Sequence, residues 1–245
     1  MTATLTPEVD VRRADERHKT RLGWLDSKHS FSFGRRYDPA NTHHGLLLVN
    51  NDDIVAAGTG FDTHPHRDME IVTWVLEGSL EHRDSMGNSG VIYPGLAQRM
   101  SAGTGVLHSE KNGSASDTVH FVQMWVIPDE SGIAPGYQQA EIPDSALTGG
   151  LVTIASGIHD DAAIAIRNKS AALHAARLRP TDTVQLPDAK FLHLFVARGE
   201  VTLDDAVTLY EGDAVRFTAA DGPRLTAKEP AEVLLWEMHA DLSGA

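Results

Sequence analysis

At 245 residues the chain is long enough for one large domain or two of ordinary size, each with a real core. It carries 21 Lys and Arg against 34 Asp and Glu, a formal charge of −13 with neutral histidine, and no basic run, which argues against direct nucleic-acid binding because phosphate affinity comes from clustered cations. Zero cysteines exclude disulfides and thiolate metal sites, and no window is apolar over the length of a membrane-spanning helix, so no membrane partner is expected.

In chain order, the opening Met1–Pro7 lacks the positive patch and apolar stretch of a secretory signal, and a cytoplasmic protein is expected. The mixed-charge segment Val11–Arg21 reads as a solvated first strand or turn. Strand-like runs follow at Gly45–Val49, Glu70–Leu76, Val119–Trp125 and Leu151–Ala155, each bounded by Gly, Pro, Asn or Asp, which argues a mainly β protein. Such strands can close into barrels whose mouths hold small ligands. Two prolines and two glycines in Pro128–Tyr137 read as a linker, dividing the chain into residues 1–130 and 131–245. Beyond it, Phe191–Gly199 repeats the grammar of the strand ending at Gly78, and Glu211–Phe217 that of the strand after Gly95, so two tandem β-barrel domains are expected.

Two short signatures carry the chemistry, His64-Pro65-His66 and His108-Ser109-Glu110. In an extended strand residues i and i+2 share a face and lie roughly 7 Å apart, so each pair can aim at one interior point. Three imidazoles and one carboxylate suit first-row divalent ions such as iron, manganese, nickel, copper or zinc. Four protein ligands leave one or two positions on such an ion, as a catalytic or sensing site requires. With 13 histidines, roughly one H-x-H arises by chance, so the weight lies in the context. Gly58-x5-His64-x-His66-x3-Glu70-x7-Gly78 matches the first cupin motif with its last spacer one residue longer. Gly95-x5-Ser101-x-Gly103-x4-His108-x3-Asn112 resembles the second, with Ser101 for the usual proline and a longer gap before the histidine.

Within the cupins, Thr63–Glu70, Val75–Gly78, Asp84–Asn88 and Met100–Glu110 resemble the pirin family, as do Gly23–Ser27 and His29–Phe33 upstream. The resemblance implies a bicupin of two double-stranded β-helix domains, with metal ligands at His64, His66, His108 and Glu110 in the N-terminal one. It implies iron(II) as the ion, with Zn, Ni, Mn, Cu or Co also compatible, and quercetin 2,3-dioxygenase chemistry on a small aromatic, flavonol-like substrate with O2. In that scheme Glu110 is also the base that takes the flavonol 3-hydroxyl proton, and ring opening expels carbon monoxide and leaves a depside ester. The same family implies an alternative, a redox-sensing regulator that acts through a protein partner without turnover. A third option is a cupin that isomerises or hydrolyses another small substrate with zinc.

The remaining candidates read more plainly. Glu70 shares parity with the first histidine pair but is redundant beside Glu110, and is expected to be a hydrogen-bonded neighbour or core group. Laying Gly199 over Gly78 puts Gln185 and Pro187 in place of His64 and His66, and laying Gly212 over Gly95 puts Leu225 and Ala227 in place of His108 and Glu110. The C-terminal domain is therefore expected to lack metal ligands, and its His159, His174, His193 and His239 to be surface or hydrogen-bonded residues. His43 and His44, being adjacent, cannot chelate together; His82 lies in a hairpin-like strand and His120 in an apolar one that could line the barrel and give it a pocket role. Trp24, Phe33, Trp74 and Trp125 are expected in the core.

Overall fold

In the computed structural model, which describes residues 6–243, one short helix at Asp144–Leu147 interrupts a chain otherwise built of strands. The strands form four sheets in two matched pairs. In the first half a seven-stranded sheet runs in the order Gly136–Glu141, Leu96–Ser101, Glu70–Glu77, Val119–Val126, Leu47–Val55, Leu25–His29, His18–Arg21. A four-stranded sheet, ordered Gly60–His66, Val106–Lys111, Leu80–Asp84, Ser89–Ile92, packs against it. The second half repeats both orders, with Thr183–Gln185 and Arg224–Ala227 standing where Gly60–His66 and Val106–Lys111 stand in the first. The repeated strand grammar thus corresponds to a repeated architecture.

The pairs of sheets are not closed into hydrogen-bonded rings, which is where the structure departs from the expected barrels. In place of closure, the two large sheets exchange their edge strands. Glu8–Arg12, which precedes the first half, pairs with Ala214–Ala220 of the second, from Glu8 opposite Thr218 to Arg12 opposite Ala214. Gly136–Glu141, which precedes the second half, pairs with Leu96–Ser101 of the first. Each large sheet therefore has one open edge covered by a strand from the other unit, an arrangement that protects the edge and ties the halves together. Part of the Pro128–Tyr137 segment belongs to this exchange, since Gly136 and Tyr137 are strand residues.

The two large sheets also bury their outer faces against each other. Along Glu70–Glu77, Val72, Trp74 and Leu76 point into the layer shared with Leu234, Trp236 and Met238, while Val75 points into the core between large and small sheets with Leu80, Ile92 and Phe121. Burial on both faces is why this strand reads as a continuous apolar run with no alternation. Trp74 is fully buried, and its indole N–H donates to Glu232 Oε1 at 2.6 Å across the two halves.

Three of the C-terminal histidines, far apart in sequence, gather on one carboxylate. His174 Nε2 lies 2.9 Å and His159 Nε2 3.3 Å from Glu237 Oε2, and His239 Nε2 lies 2.7 Å from Oε1. Burial alone would raise the Glu237 pKa, but the three imidazole N–H donors outweigh it and bring it to about 2, from an ordinary 4.5. A depressed carboxylate stabilises the fold above its unfolded pKa and loses that contribution as pH falls toward its folded one. Glu237→Gln is therefore expected to cost about 1–3 kcal/mol at pH 7, as when one partner of a buried network is removed. The gap in melting temperature from the wild type should be full at neutral pH and close as pH drops below about 4.5, which thermal unfolding at a series of pH values measures.

Candidate metal centre

The two histidine signatures sit on adjacent antiparallel strands of the first small sheet. His64 stands directly opposite His108, and His66 opposite Val106. On its other side the same strand places His108 opposite Asp84 and Glu110 opposite His82. A register shift between His108 and Glu110 lets the strand bend where the ligand candidates lie. Gly60 makes the close approach possible: it holds φ +148°, and a Cβ there would run into the Glu110 carbonyl.

The imidazoles of His64, His66 and His108 converge, with one ring nitrogen from each lying within 4.8 Å of the others. His64 Nε2 and His108 Nε2 are 3.0 Å apart, about the separation of two nitrogens each 2.1 Å from a shared ion and at right angles around it. The His64 Nδ1–H donates to the Asp62 carbonyl at 2.7 Å, a bond that orients the ring with Nε2 toward His108. His66 Nε2 is buried and has no hydrogen-bond partner, as an inward-facing ligand atom without its ion would be. Burial, followed by the neighbouring imidazoles, pushes the His108 pKa to about 2, and burial with His64 pushes His66 to about 4. Both rings are therefore neutral at pH 7, the form that binds metal. On donor chemistry and on the orphaned His66 nitrogen, the residues fit a first-row divalent ion.

Glu110 is not in this group of three. It clusters with His108 and His82, and these three are all buried. Both carboxylate oxygens accept from the Gln123 side-chain amide, at 2.8 and 2.9 Å, and the Trp125 indole N–H donates to the Gln123 carbonyl oxygen at 3.1 Å, which fixes the amide's orientation. Burial raises the Glu110 pKa to about 7 against the opposing Gln123 bond. His82 stacks on Tyr137, ring centroids 4.8 Å apart, and its Nε2 lies 3.4 Å from Asp84 Oδ2. Asp84 is held in turn by Asn88 and the Met86 backbone N–H. A carboxylate behind a histidine in this way is how metal-site imidazoles are commonly oriented.

His64, His66, Glu110, Gln123 and Trp125 line a cavity of ≈ 820 Å3, the size of a small-molecule pocket. Trp24, Phe33, Phe61 and Trp125 supply aromatic wall, and His64, His66, Glu110 and Asp53 polar wall. His66 meets the Trp125 ring edge to face at 4.8 Å, and Phe33 meets it at 5.6 Å. Trp24, Phe33 and Trp125 thus line the cavity; Trp24 and Trp125 also pack against buried clusters, as expected of core residues, but only Trp74 is fully buried. Asp53 is a second buried carboxyl here, raised to about 7 by burial and the charges of Asp52 and Glu110, against a bond from Ser27.

Two other candidates lie elsewhere. His120 Nε2 is 2.6 Å from Asp52 Oδ1 and does not line the cavity. Glu70, fully buried, accepts from the Arg167 backbone N–H at 3.1 Å and belongs to neither cluster, as a hydrogen-bonded core group should. In the second half, the strand equivalent to the one bearing His108 and Glu110 presents Leu225 and Ala227 to an apolar core, and the Gln185 amide is tied to the Gly222 carbonyl.

The pirin family model matches residues 10–126, and the model described as the quercetinase C-terminal cupin domain matches residues 153–238. A putative quercetin 2,3-dioxygenase of Mycobacterium tuberculosis is 67% identical over 239 residues, 97% of this chain and 98% of its own. The quercetin 2,3-dioxygenase of Escherichia coli K12 is 38% identical over 231 residues, covering 94% and 98%. Among solved structures, the bacterial pirin YhhW from Escherichia coli in complex with nickel(II) superimposes with a TM-score of 0.87 at 36% identity, covering 95% of this chain and 100% of that one.

Proposed function

The chain belongs to the pirin family, and from that membership we propose that it is a metal-dependent dioxygenase of the quercetin 2,3-dioxygenase type, opening the ring of a flavonol with dioxygen. The observation that carries this reading is the convergence of three imidazoles, with His66 and His108 held neutral, two of which, His64 and His66, line an aromatic-walled cavity of ≈ 820 Å3. The name of the Escherichia coli relative and the nickel(II) of YhhW support it. The unit of residues 1–130 performs the chemistry, and residues 131–245 brace it through the shared core and the exchanged strand.

On this reading His64, His66, His108 and Glu110 hold one divalent ion, iron(II) or nickel(II). When bound, the ion supplies a Lewis acid and a path for electrons between the flavonol and dioxygen. The rest falls to the side chains. Trp125, Phe33, Trp24 and Phe61 offer faces and edges to a flat polyphenol and exclude water from it. Glu110, whose buried carboxylate holds a proton more tightly than an ordinary glutamate, takes the 3-hydroxyl proton, and Gln123 keeps its oxygens in place. One flavonol and one O2 then give one depside and one carbon monoxide, a balance that needs no external reductant.

The test is aerobic incubation of protein reloaded with iron(II) or nickel(II) with quercetin, followed at the flavonol absorption band. Metal-dependent decay with one carbon monoxide released per flavonol is the expected result. Equal decay with chelator-stripped protein, or none with either ion, would overturn the proposal.

A further inference from the structure

A second, smaller cavity of ≈ 160 Å3 lies at the seam between the halves, roofed by the segment that follows the exchanged strand Glu8–Arg12. In a chain of formal charge −13, its wall carries five arginines, at 12, 13, 17, 36 and 216, against Glu16 and Asp38. Three of the five are already answered: Arg12 by Asp10 at 2.7 Å, Arg13 by Asp213 at 2.7 Å and Arg17 by Asp52 at 3.1 Å.

Arg216 is not. It is 6% exposed, and its Nη2 donates to neutral oxygens, the Ser30 carbonyl at 2.8 Å and Asn41 Oδ1 at 2.7 Å. Its guanidinium lies 4.4 Å over the Phe31 ring, and its Nε has no partner. Asp10 stands opposite Arg216 in the strand pairing, but its carboxylate bonds Arg12, and no carboxylate among the described residues comes within 4.0 Å of Arg216. Directly across the next strand pair is His193, 0% exposed, with both ring nitrogens unpartnered and its pKa held well below the usual value by burial and then by Arg216. A neutral imidazole retains one N–H to donate.

Burying a guanidinium without a counter-charge is costly, and so is leaving a buried ring N–H unbonded; both costs vanish if an anion fills the space between them. We propose that the seam cavity is a receptor for one compact oxyanion of the phosphate, sulfate or small-carboxylate class, bonded by the Arg216 guanidinium and the His193 N–H. Arg36, exposed and without an ion-pair partner among the described residues, attends the rim. The wall is drawn from the crossing segment, from the Ser30–Asn41 loop of the first half and from strands of the second, so the site is complete only when the seam is assembled. Occupancy therefore stabilises the assembled seam by mass action. His18 and His29 line both this cavity and the metal cavity, which places the anion next to the substrate pocket.

Isothermal titration of the full-length, metal-loaded protein with inorganic phosphate, sulfate and acetate, at constant ionic strength in chloride, tests this. Saturable binding of one anion per chain is expected, and the ranking of the three identifies the preferred class. Arg216→Gln should weaken it at least tenfold, and Arg36→Ala, at an exposed position that leaves the fold intact, severalfold. His108→Ala should leave it unchanged, which separates this site from an anion held by the metal. No saturable binding of any of the three, an isotherm unaltered by Arg36→Ala and Arg216→Gln, or one lost in His108→Ala would overturn the proposal.

Discussion

Replacing His108 with alanine is expected to abolish metal retention and flavonol consumption together. His108 is the residue common to both clusters: its Nε2 meets His64, its Nδ1 lies 3.5 Å from His82, and it stands between the other imidazoles and Glu110. Loss of residues that merely orient metal ligands typically costs 10–100-fold in affinity, so losing this one should cost more than about 100-fold. The same substitution separates metal binding from stability. Chelation should lower the wild-type melting temperature, by the equivalent of about 2.7 kcal/mol where the free metal had stood at 100 times its dissociation constant. The variant should melt at one temperature with or without chelator. Metal analysis after gel filtration, paired with thermal unfolding, measures both effects. A His108→Ala protein that retains one ion per chain would remove these histidines from the metal site.

How much of this site was legible in the chain depends on how local the cause is. The alternation of His64 with His66 and of His108 with Glu110 is a property of a few consecutive residues, and strand geometry turns it directly into a shared face. His82 carried no such signal, because it reaches the cluster only through its register opposite Glu110, a pairing between strands that the sequence does not spell out. Its spacing of two from Asp84 was the one available hint. Trp24, Phe33 and Trp125 read as core in the sequence for a different reason. A half-buried aromatic on a cavity wall has the same apolar neighbours in sequence as one in a core. Only the shared parity of Trp125 with Gln123 and the indole–amide bond mark it as facing the pocket. At the scale of the fold, repeated strand runs announced two units, while the exchange of edge strands left no mark, since nothing in Glu8–Arg12 itself names Ala214–Ala220 as the strand it pairs with.

Glu110→Gln separates holding the ion from moving the proton, and the expected result is a large loss of turnover with partial loss of metal. The neutral amide preserves the shape of the side chain and keeps one oxygen that can accept from Gln123, so the three imidazoles still meet. It removes one negative charge from the ligand set, which weakens the ion's hold. It also removes the proton acceptor, and positioned bases typically contribute 10²–10⁴ in rate, so turnover per bound ion should fall by about that factor. The substituted amide would also turn an N–H toward the Gln123 amide, which is itself fixed by the Trp125 indole, so local disorder has to be told apart from lost base chemistry. Gln123→Leu provides the comparison: it frees the Glu110 carboxylate from its amide while leaving the acid in place, and is expected to lower turnover less than Glu110→Gln. Flavonol consumption normalised to metal content for the two variants decides the matter. Turnover per ion unchanged in Glu110→Gln would strike the base from the scheme, and if metal is lost at the same time would leave Glu110 a ligand alone.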